Sequence, residues 1–275
     1  MKKIERAAQL IDKHHSLFQC PICKEAVKIK DTSVICASHH QFDLAKKGYV
    51  NFYTKASPKD YDKQLFEARY QMIKSGMYDL LHQKIVDIIA AEANTPLNML
   101  DVGCGEGSHL QHIQHQSDHR ITAIGMDIAK DGILTAAKYH PDMIWTVADL
   151  AQSPFQSGKF DVILNILSPA NYQEFKRLLM NNGLLIKVIP RAGYLKEIRE
   201  QVMQQDSEHY SNKEVINNCR KQFEHIQVET IQYSWDIPGE LHTALWNMTP
   251  LTWGKQVKKP FQSITIDFDI IIAKA

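Results

Sequence analysis

Two groups of residues in this chain combine types and spacings that suit chemistry. The first runs from Asp101 to Gly107, reads DVGCGEG, and follows the apolar run Leu97-Asn98-Met99-Leu100. That run has the character of a buried parallel strand. A strand ending in an acid, then Gly103, Gly105 and Gly107, brings backbone close to a nucleotide-like ligand, because glycine accepts positive φ and has no Cβ to block approach. Asp127 ends the next apolar run, twenty residues beyond Gly107, where a carboxylate can take two ribose hydroxyls. The glycines fall as G-x-G-x-G, not the G-x-G-x-x-G of dinucleotide sites, which disfavours an NAD-dependent oxidoreductase.

The second group is Cys20-Pro-Ile-Cys23, then Cys36, then His39 and His40. Three thiolates and one imidazole complete a closed tetrahedral zinc site, and such a site folds a segment too short to bury its own core. A redox C-x-x-C is the alternative, but no βα pattern follows it and Cys36 would be idle. Spacing alone leaves the choice between His39 and His40 open. His109, His112, His115 and His119 also recur at helical spacing. With no Cys or acid evident to complete a site, they read as a solvated helix face.

The elements that must position these groups follow from periodicity. Residues 1–18 carry Ile4, Ala7, Ala8, Ile11 and Phe18 at helical spacing, and residues 20 to about 54 are short, β-rich and turn-broken. Two helices are expected over 60–74 and 77–92. From Leu97 onward strand and helix alternate: strands 97–102, 121–126, 144–148, 160–166 and 183–189, with helices from Ser108, then 130–139, 171–181 and 193–205, and a closing strand from Ser263 to Ile272. That alternation predicts an α/β fold with a doubly wound, mainly parallel sheet. The expected organisation is an N-terminal helical extension (1–19), a zinc-binding module (20–56), a helical linker or cap (57–94) and the main domain (95–275).

Length and composition suit one large domain plus a small module. No run approaches the roughly 18 apolar residues of a membrane span, and charges interrupt the N-terminal apolar residues, so neither a membrane helix nor a signal peptide is expected. Five cysteines, an odd number, point to a reducing, cytoplasmic setting. Residues 1–74 hold 14 Lys/Arg against 8 Asp/Glu, and the remainder 18 against 23. A basic first quarter on an acidic body suggests that the N-terminal part meets an anion such as a nucleic-acid backbone.

The leading acid with G-x-G-x-G resembles the cofactor loop of S-adenosylmethionine (SAM)-dependent class I methyltransferases. CPIC, Cys36, His40-Gln-Phe-Asp43 and Ala45-Lys-Lys-Gly-Tyr-Val-Asn51 resemble the zinc-binding start of the 23S rRNA guanine-N1 methyltransferases. The resemblance continues through Ala68-Arg69, Gly76-Met-Tyr78, DVGCGEG, Gly125-Met-Asp127, Ser168-Pro-Ala170 and Met248-Thr-Pro-Leu-Thr-Trp253. It implies SAM and structural Zn2+ as cofactors and a 23S rRNA hairpin as partner, with no membrane and a homodimer as one assembly. Some members of the family confer macrolide resistance. The ligand histidine of the family directly precedes Gln-Phe-Asp, which selects His40 with Cys20, Cys23 and Cys36. The resemblance also sets Tyr78 beside the cofactor and Asp127 at the ribose, while Tyr194 stands where the family has a histidine.

The cofactor set expected from motif and resemblance is thus Tyr78, Asp101, Gly103, Gly105, Gly107, Ser108, Asp127, Ile128, Asp149 and Tyr194, with Asp149 in the usual place of an acid that reads the adenine amino group. Acceptor-side candidates follow strand 160–166: Asn165, Ser168, Pro169 and Asn171. None of the four is a convincing base for the proton on guanine N1. The absence of an Asn/Asp-Pro-Pro-aromatic segment there disfavours methylation of an exocyclic amine. Lys24, Lys28, Lys30, Lys46 and Lys47, with Tyr49, Phe52 and Tyr53, are candidate RNA contacts, although core packing accounts for at least two of the aromatics. The rival functions are a small-molecule methyltransferase, against which the zinc module counts, and a non-catalytic RNA-binding protein, against which the intact glycines count.

Overall fold

The computed structural model describes residues 1–55, 61–92, 96–117, 121–202, 211–255 and 260–275. The N-terminal segment forms helix α1 (Lys3–Lys13) and four short strands, β1 (Val27–Lys30), β2 (Ser33–Cys36), β3 (Gln41–Ala45) and β4 (Tyr49–Asn51). Ala7, Ala8 and Ile11 are the buried face of α1, as their spacing predicts. Helices α2 (Lys63–Lys74) and α3 (Asp79–Glu92) follow, with Asp62 capping α2 by accepting the Leu65 N–H at 2.9 Å.

The alternating stretch becomes β5 (Leu97–Val102), α4 (Ser108–Gln116), β6 (Ile121–Asp127), α5 (Lys130–Tyr139), β7 (Ile144–Val147), β8 (Phe160–Ile166), α6 (Tyr172–Leu178), β9 (Leu179–Pro190) and α7 (Lys196–Val202). The C-terminal part adds α8 (Lys213–Arg220), β10 (His225–Asp236), α9 (His242–Asn247) and β11 (Ser263–Lys274). Residues 60, 119 and 203–205 of the sequence expectations lie outside the described residues. The strand and helix over 225–247 go beyond those expectations, although His225 to Asp236 alternates apolar and polar residues and its burial alternates in step. It pairs antiparallel along the whole of β11, so the sheet ends in an antiparallel pair.

The central strands β7, β6, β5, β8 and β9 run parallel in that order. The chain steps outward from β5 through β6 to β7, then returns to place β8 on the other side of β5. The loops after β5 and β8 therefore diverge at this reversal, and the crevice between them is where such sheets take ligands. Apolar side chains cover both sheet faces. Met72, Leu81 and Ile85 pack with Leu110, Ile133 and Trp145 on one face, and Phe160, Phe175, Ile124 and Ile163 pack on the other. No helix among the described residues is long and apolar enough to cross a membrane.

The cysteine module joins this sheet directly. Strand β4 pairs in parallel with β7 through Val50–Thr146 and Asn51–Val147, and β3, β2 and β1 continue the sheet antiparallel beyond it. Phe18 bridges to Phe155 with ring centroids 5.1 Å apart, and Phe52 packs 6.1 Å from Phe18. Tyr49 and Phe52 are thus core residues, and Tyr53 is half-buried against the same core. The module shares its apolar cluster with the main domain, so loss of its metal should be felt throughout. Removal of metal by a chelator, or Cys36→Ser, should lower the calorimetric Tm of the whole chain in one transition. Phe18→Ala should cost about 3–5 kcal/mol in denaturant unfolding. A native main-domain transition surviving both changes would show that the seam carries no stability.

Candidate active site and metal centre

The metal cluster is built by two tight turns. Lys24 adopts a left-handed φ of 64° after Cys20-Pro-Ile-Cys23, and His39 does the same at 61° before His40. The second turn exposes His39 and swings His40 inward. Its Nδ1 lies 3.5 Å from Cys20 Sγ and 3.4 Å from Cys36 Sγ, and Cys23 Sγ lies 3.6 Å from Cys36 Sγ. A tetrahedral zinc with bonds of about 2.3 Å to sulfur and 2.0–2.1 Å to nitrogen requires edges of roughly 3.5–3.8 Å. Cys20, Cys23, Cys36 and His40 match that requirement as a group. The three cysteines are free, and a sulfur separation of 3.6 Å is far beyond a disulfide bond. Glu25 steadies the turns by accepting from Ser38 N and Ser38 Oγ at 2.8 and 2.7 Å.

The glycine loop lies at the C-terminal end of β5, at the reversal in strand order. Asp127 ends β6 and accepts the Gly105 N–H at 2.8 Å on Oδ2 and the Ala129 N–H at 2.7 Å on Oδ1. Each oxygen keeps lone pairs for a ribose hydroxyl, and neither can swing away. The glycines serve different needs. A Cβ on Gly103 would fall 1.9 Å from Ser168 Oγ, so the loop after β8 rests on it. A Cβ on Gly107 would fall 2.3 Å from the Trp145 indole, so that glycine makes room for packing rather than for ligand.

A cavity of about 910 Å³ opens over this loop. Of the expected cofactor residues, Tyr78, Gly103, Gly105, Asp127, Ile128 and Tyr194 line it. Tyr78 and Tyr194 share a hydroxyl hydrogen bond of 2.7 Å, so each fixes the other's hydroxyl at the cavity wall. Asp101, Gly107, Ser108 and Asp149 are not in the lining. Ser108 is buried against Glu106, with Oγ to Oε2 at 2.5 Å. Asp149 caps a short turn by accepting the Ala151 N–H on Oδ1 at 2.9 Å.

The four acceptor-side candidates separate in the same way. Ser168 and Pro169 line the cavity. Asn165 is fully buried and clamps the loop, donating to Val102 O at 2.9 Å and Pro169 O at 3.1 Å. Asn171 caps α6 by accepting from Glu174 N at 3.1 Å. Neither amide is in the cavity lining: Asn165 holds the loop that carries Ser168 and Pro169, and Asn171 holds the start of the helix after it.

Electrostatics favours a cationic guest. Burial, then the neighbouring Asp127 and Glu106, push the Asp101 carboxyl up to about 8, and burial pushes Glu106 up to about 7 against the hydrogen bonds from Ser108. Burial also raises Asp127 despite its two backbone donors. One Asp101 oxygen, Oδ1, is buried without a hydrogen-bond partner. The half-buried Asp127 and the buried Glu106 line the cavity, with the buried Asp101 behind them, and a ligand carrying a sulfonium and an ammonium favours their ionised forms. The residues present therefore fit SAM.

Three lining residues escaped the sequence reading of the site. Arg69 on α2 donates Nε–H to Met248 O at 3.1 Å and leaves a guanidinium at the cavity, suited to a carboxylate. Lys187 is buried in β9, donating to Asn165 Oδ1 at 2.5 Å and Ser168 O at 2.8 Å, and burial pushes it down to about 8. A lone lysine inside Gly-Leu-Leu-Ile-Lys-Val-Ile was the available signal, since a central parallel strand is apolar throughout unless a charge has work. His109 lines the cavity beside Tyr78, with ring centroids 5.1 Å apart.

Two outcomes test the site. Asp127→Ala removes the carboxylate expected to hold two ribose hydroxyls, at about 1.5–3 kcal/mol for each hydrogen bond, so SAM affinity by calorimetry should fall roughly 100-fold or more; an unchanged affinity would place the pocket elsewhere. The Asp101 carboxyl titrates at about 8 in the fold against 3.8 in the open chain, so the unfolded state holds fewer protons between those values. Stability of the cofactor-free protein should therefore fall as pH rises through that window, and Asp101→Asn should flatten the fall in Tm. Parallel profiles for the two proteins would remove Asp101 from the charge cluster.

Comparison with known proteins agrees with this geometry. Residues 18–53 match the zinc-ribbon model described as RlmA, N-terminal, and residues 99–183 match a methyltransferase domain model. The solved plantazolicin methyltransferase BpumL, in complex with SAH, shares the fold at a TM-score of 0.52 and 17% identity, covering 78% of this chain and 91% of its own. The 23S rRNA (guanine(748)-N(1))-methyltransferase of Streptomyces fradiae is 29% identical over 66% of this chain and 65% of its own. YxjB of Bacillus subtilis (strain 168), provisionally named a 23S rRNA (guanine-N(1)-)-methyltransferase, is 40% identical over 94% of this chain and 96% of its own. With both modules present and likeness spanning nearly its whole length, the chain belongs to the 23S rRNA (guanine-N(1)-)-methyltransferase family.

Proposed function

We propose that this protein transfers a methyl group from SAM to N1 of a guanine in a hairpin of 23S rRNA, with the zinc ribbon as its RNA-reading module. The observation that carries the proposal is the one continuous cavity that joins the cofactor end, at Gly103, Gly105 and Asp127, to an aromatic mouth at Tyr61. Trp253 stands beside Tyr61 with ring centroids 6.0 Å apart and is half exposed, as is Tyr61. Leu167, held at a left-handed φ of 52°, is exposed on the loop after β8. Aromatic faces at the mouth suit a base taken out of its helix, where each stack is worth about 1–3 kcal/mol. The names of the relatives specify guanine N1 in 23S rRNA, and this chain carries both a zinc-ribbon and a methyltransferase match.

Bound SAM supplies an activated methyl group on sulfur. The chain supplies orientation: Asp127 for the ribose, Arg69 for a carboxylate, and Ser168 and Pro169 at the acceptor side. Guanine N1 is protonated at neutral pH, so its methylation releases a proton. Lys187 is the candidate acceptor, because burial lets its amine lose a proton near pH 8 and two hydrogen bonds hold it beside Ser168. Lys24, Lys28, Lys30, Lys46 and Lys47 are all exposed on the ribbon, as groups that meet phosphate must be.

Mass mapping of 23S rRNA from cells with and without the gene tests the activity: without it, one guanine should be 14 Da lighter and cease to block reverse transcription, because a methyl at N1 sits on the pairing edge. An unmodified rRNA in both strains, with methyl transfer to a small molecule, would overturn it. Reversal of Lys28, Lys30, Lys46 and Lys47 to Glu should weaken hairpin binding while SAM affinity stays. The salt slope of binding should shrink by about 0.7–0.9 for every phosphate that the altered protein no longer neutralises. With Lys187 as acceptor, the methylation rate should rise with pH up to about 8 and then level off. Lys187→Arg, which keeps a donor but cannot give up its proton, should lose activity while binding SAM; full activity in that variant would exclude the role.

A further inference from the structure

We propose that Asp79, His82 and His112 form a second metal site, distinct from the Cys/His ribbon, for a divalent transition-metal ion such as Zn2+ or Co2+. Sequence spacing hides the cluster, because its members come from two helices. Asp79 and His82 lie one turn apart at the start of α3, and His112 lies on α4, which packs against α3 through Leu81, Ile85, Leu110 and Ile113. One ligand atom from each residue falls within 4.8 Å of the others. Around a metal with bonds of about 2.0–2.2 Å those atoms would sit roughly 3.3–3.5 Å apart. The remaining movement is small and falls on exposed Asp79 and half-buried His112, which have room to turn.

The independent sign of a ligand is His82. It is completely buried, its Nε2 is 2.8 Å from His109 Nδ1, and its Nδ1 is buried with no hydrogen-bond partner. Buried ring nitrogens are seldom left so. A metal on Nδ1 supplies the missing partner and decides the tautomers: His82 then carries its proton on Nε2 and donates it to His109 Nδ1, and His109 carries its own on Nε2. A histidine ligand that donates its second nitrogen to a neighbour is the usual outer-shell arrangement of metal sites. Two imidazoles and one carboxylate select Zn2+, Co2+, Ni2+ or Fe2+ over Mg2+ and Ca2+, which prefer oxygen ligands throughout. Three protein ligands leave a coordination position open to solvent. His109 lines the cofactor cavity, and Gly107 precedes the first residue of α4. Metal between α3 and α4 therefore staples the wall behind the glycine loop.

The test uses the full chain with its ribbon already loaded with Zn2+, titrated with Co2+ and followed by calorimetry and absorption. One further Co2+ per chain should bind, with d–d bands but without the thiolate charge-transfer absorption that exchange into the ribbon would produce. His112→Gln and Asp79→Asn, both at the accessible side, should each weaken this binding at least about tenfold. Each should also abolish the rise in Tm that the added metal gives the parent. Nitrogen NMR of the Zn2+ form should place the metal on His82 Nδ1. Binding of no metal beyond the ribbon's own, or unchanged affinity in both variants, would overturn the proposal.

Discussion

Two backbone N–H groups, from Gly105 and Ala129, converge on the carboxylate of Asp127, and the active site is organised around that contact. It ties the loop after β5 to the loop after β6 and so holds the glycine turn open over the reversal in strand order. The Gly103 N–H and Cys104 N–H both bond Met126 O, at 2.8 and 3.1 Å, which seats the same turn against β6. Trp145 then fills the space that Gly107 and Gly125 leave beneath it. Substituting either glycine would push the indole out of the core, although neither faces the cavity.

The same contact has an electrostatic cost. It gathers Asp127, Asp101 and Glu106 into one buried region, and burial raises all three carboxyls. A fold optimised for stability alone would not place them together. Burial is the main cause of all three shifts, and a cationic ligand beside them favours the ionised carboxylates. On the acceptor side the opposite charge is handled alike: Lys187 is buried without a carboxylate and is held by an amide and a carbonyl. Both halves of the site thus keep charge in places that only their guests complete.

The zinc ribbon is joined to this centre by backbone rather than by a linker. Pairing of β4 with β7 places the ribbon on the edge of the sheet that carries Asp127 one strand further in. Whatever the ribbon holds is therefore placed relative to the glycine loop by paired strands. The aromatic residues of the ribbon are used at this junction, since Phe18 packs against both Phe155 and Phe52 and Phe52 packs against Phe42, leaving lysines rather than rings exposed.

The sequence by itself determined the alternating α/β pattern, the glycine loop with the acid that ends the next strand, and the three thiolates of the ribbon beside a pair of histidines, between which only the resemblance chose His40. These depend on local chemistry: strand periodicity, glycine where backbone must turn, and thiolates within one short segment. Tertiary structure alone decided the rest. Asp149 and Asn171 have the right residue types at the right strand ends, yet neither lines the cavity, and each caps a turn that exists only in the folded chain. Asn165 became a clamp because β9 brings Lys187 beside it, twenty-two residues away. Burial created the perturbed acids and the buried lysine, and helix packing brought His82 to His112. Proximity and desolvation are properties of the folded chain, and no spacing along the sequence encodes them.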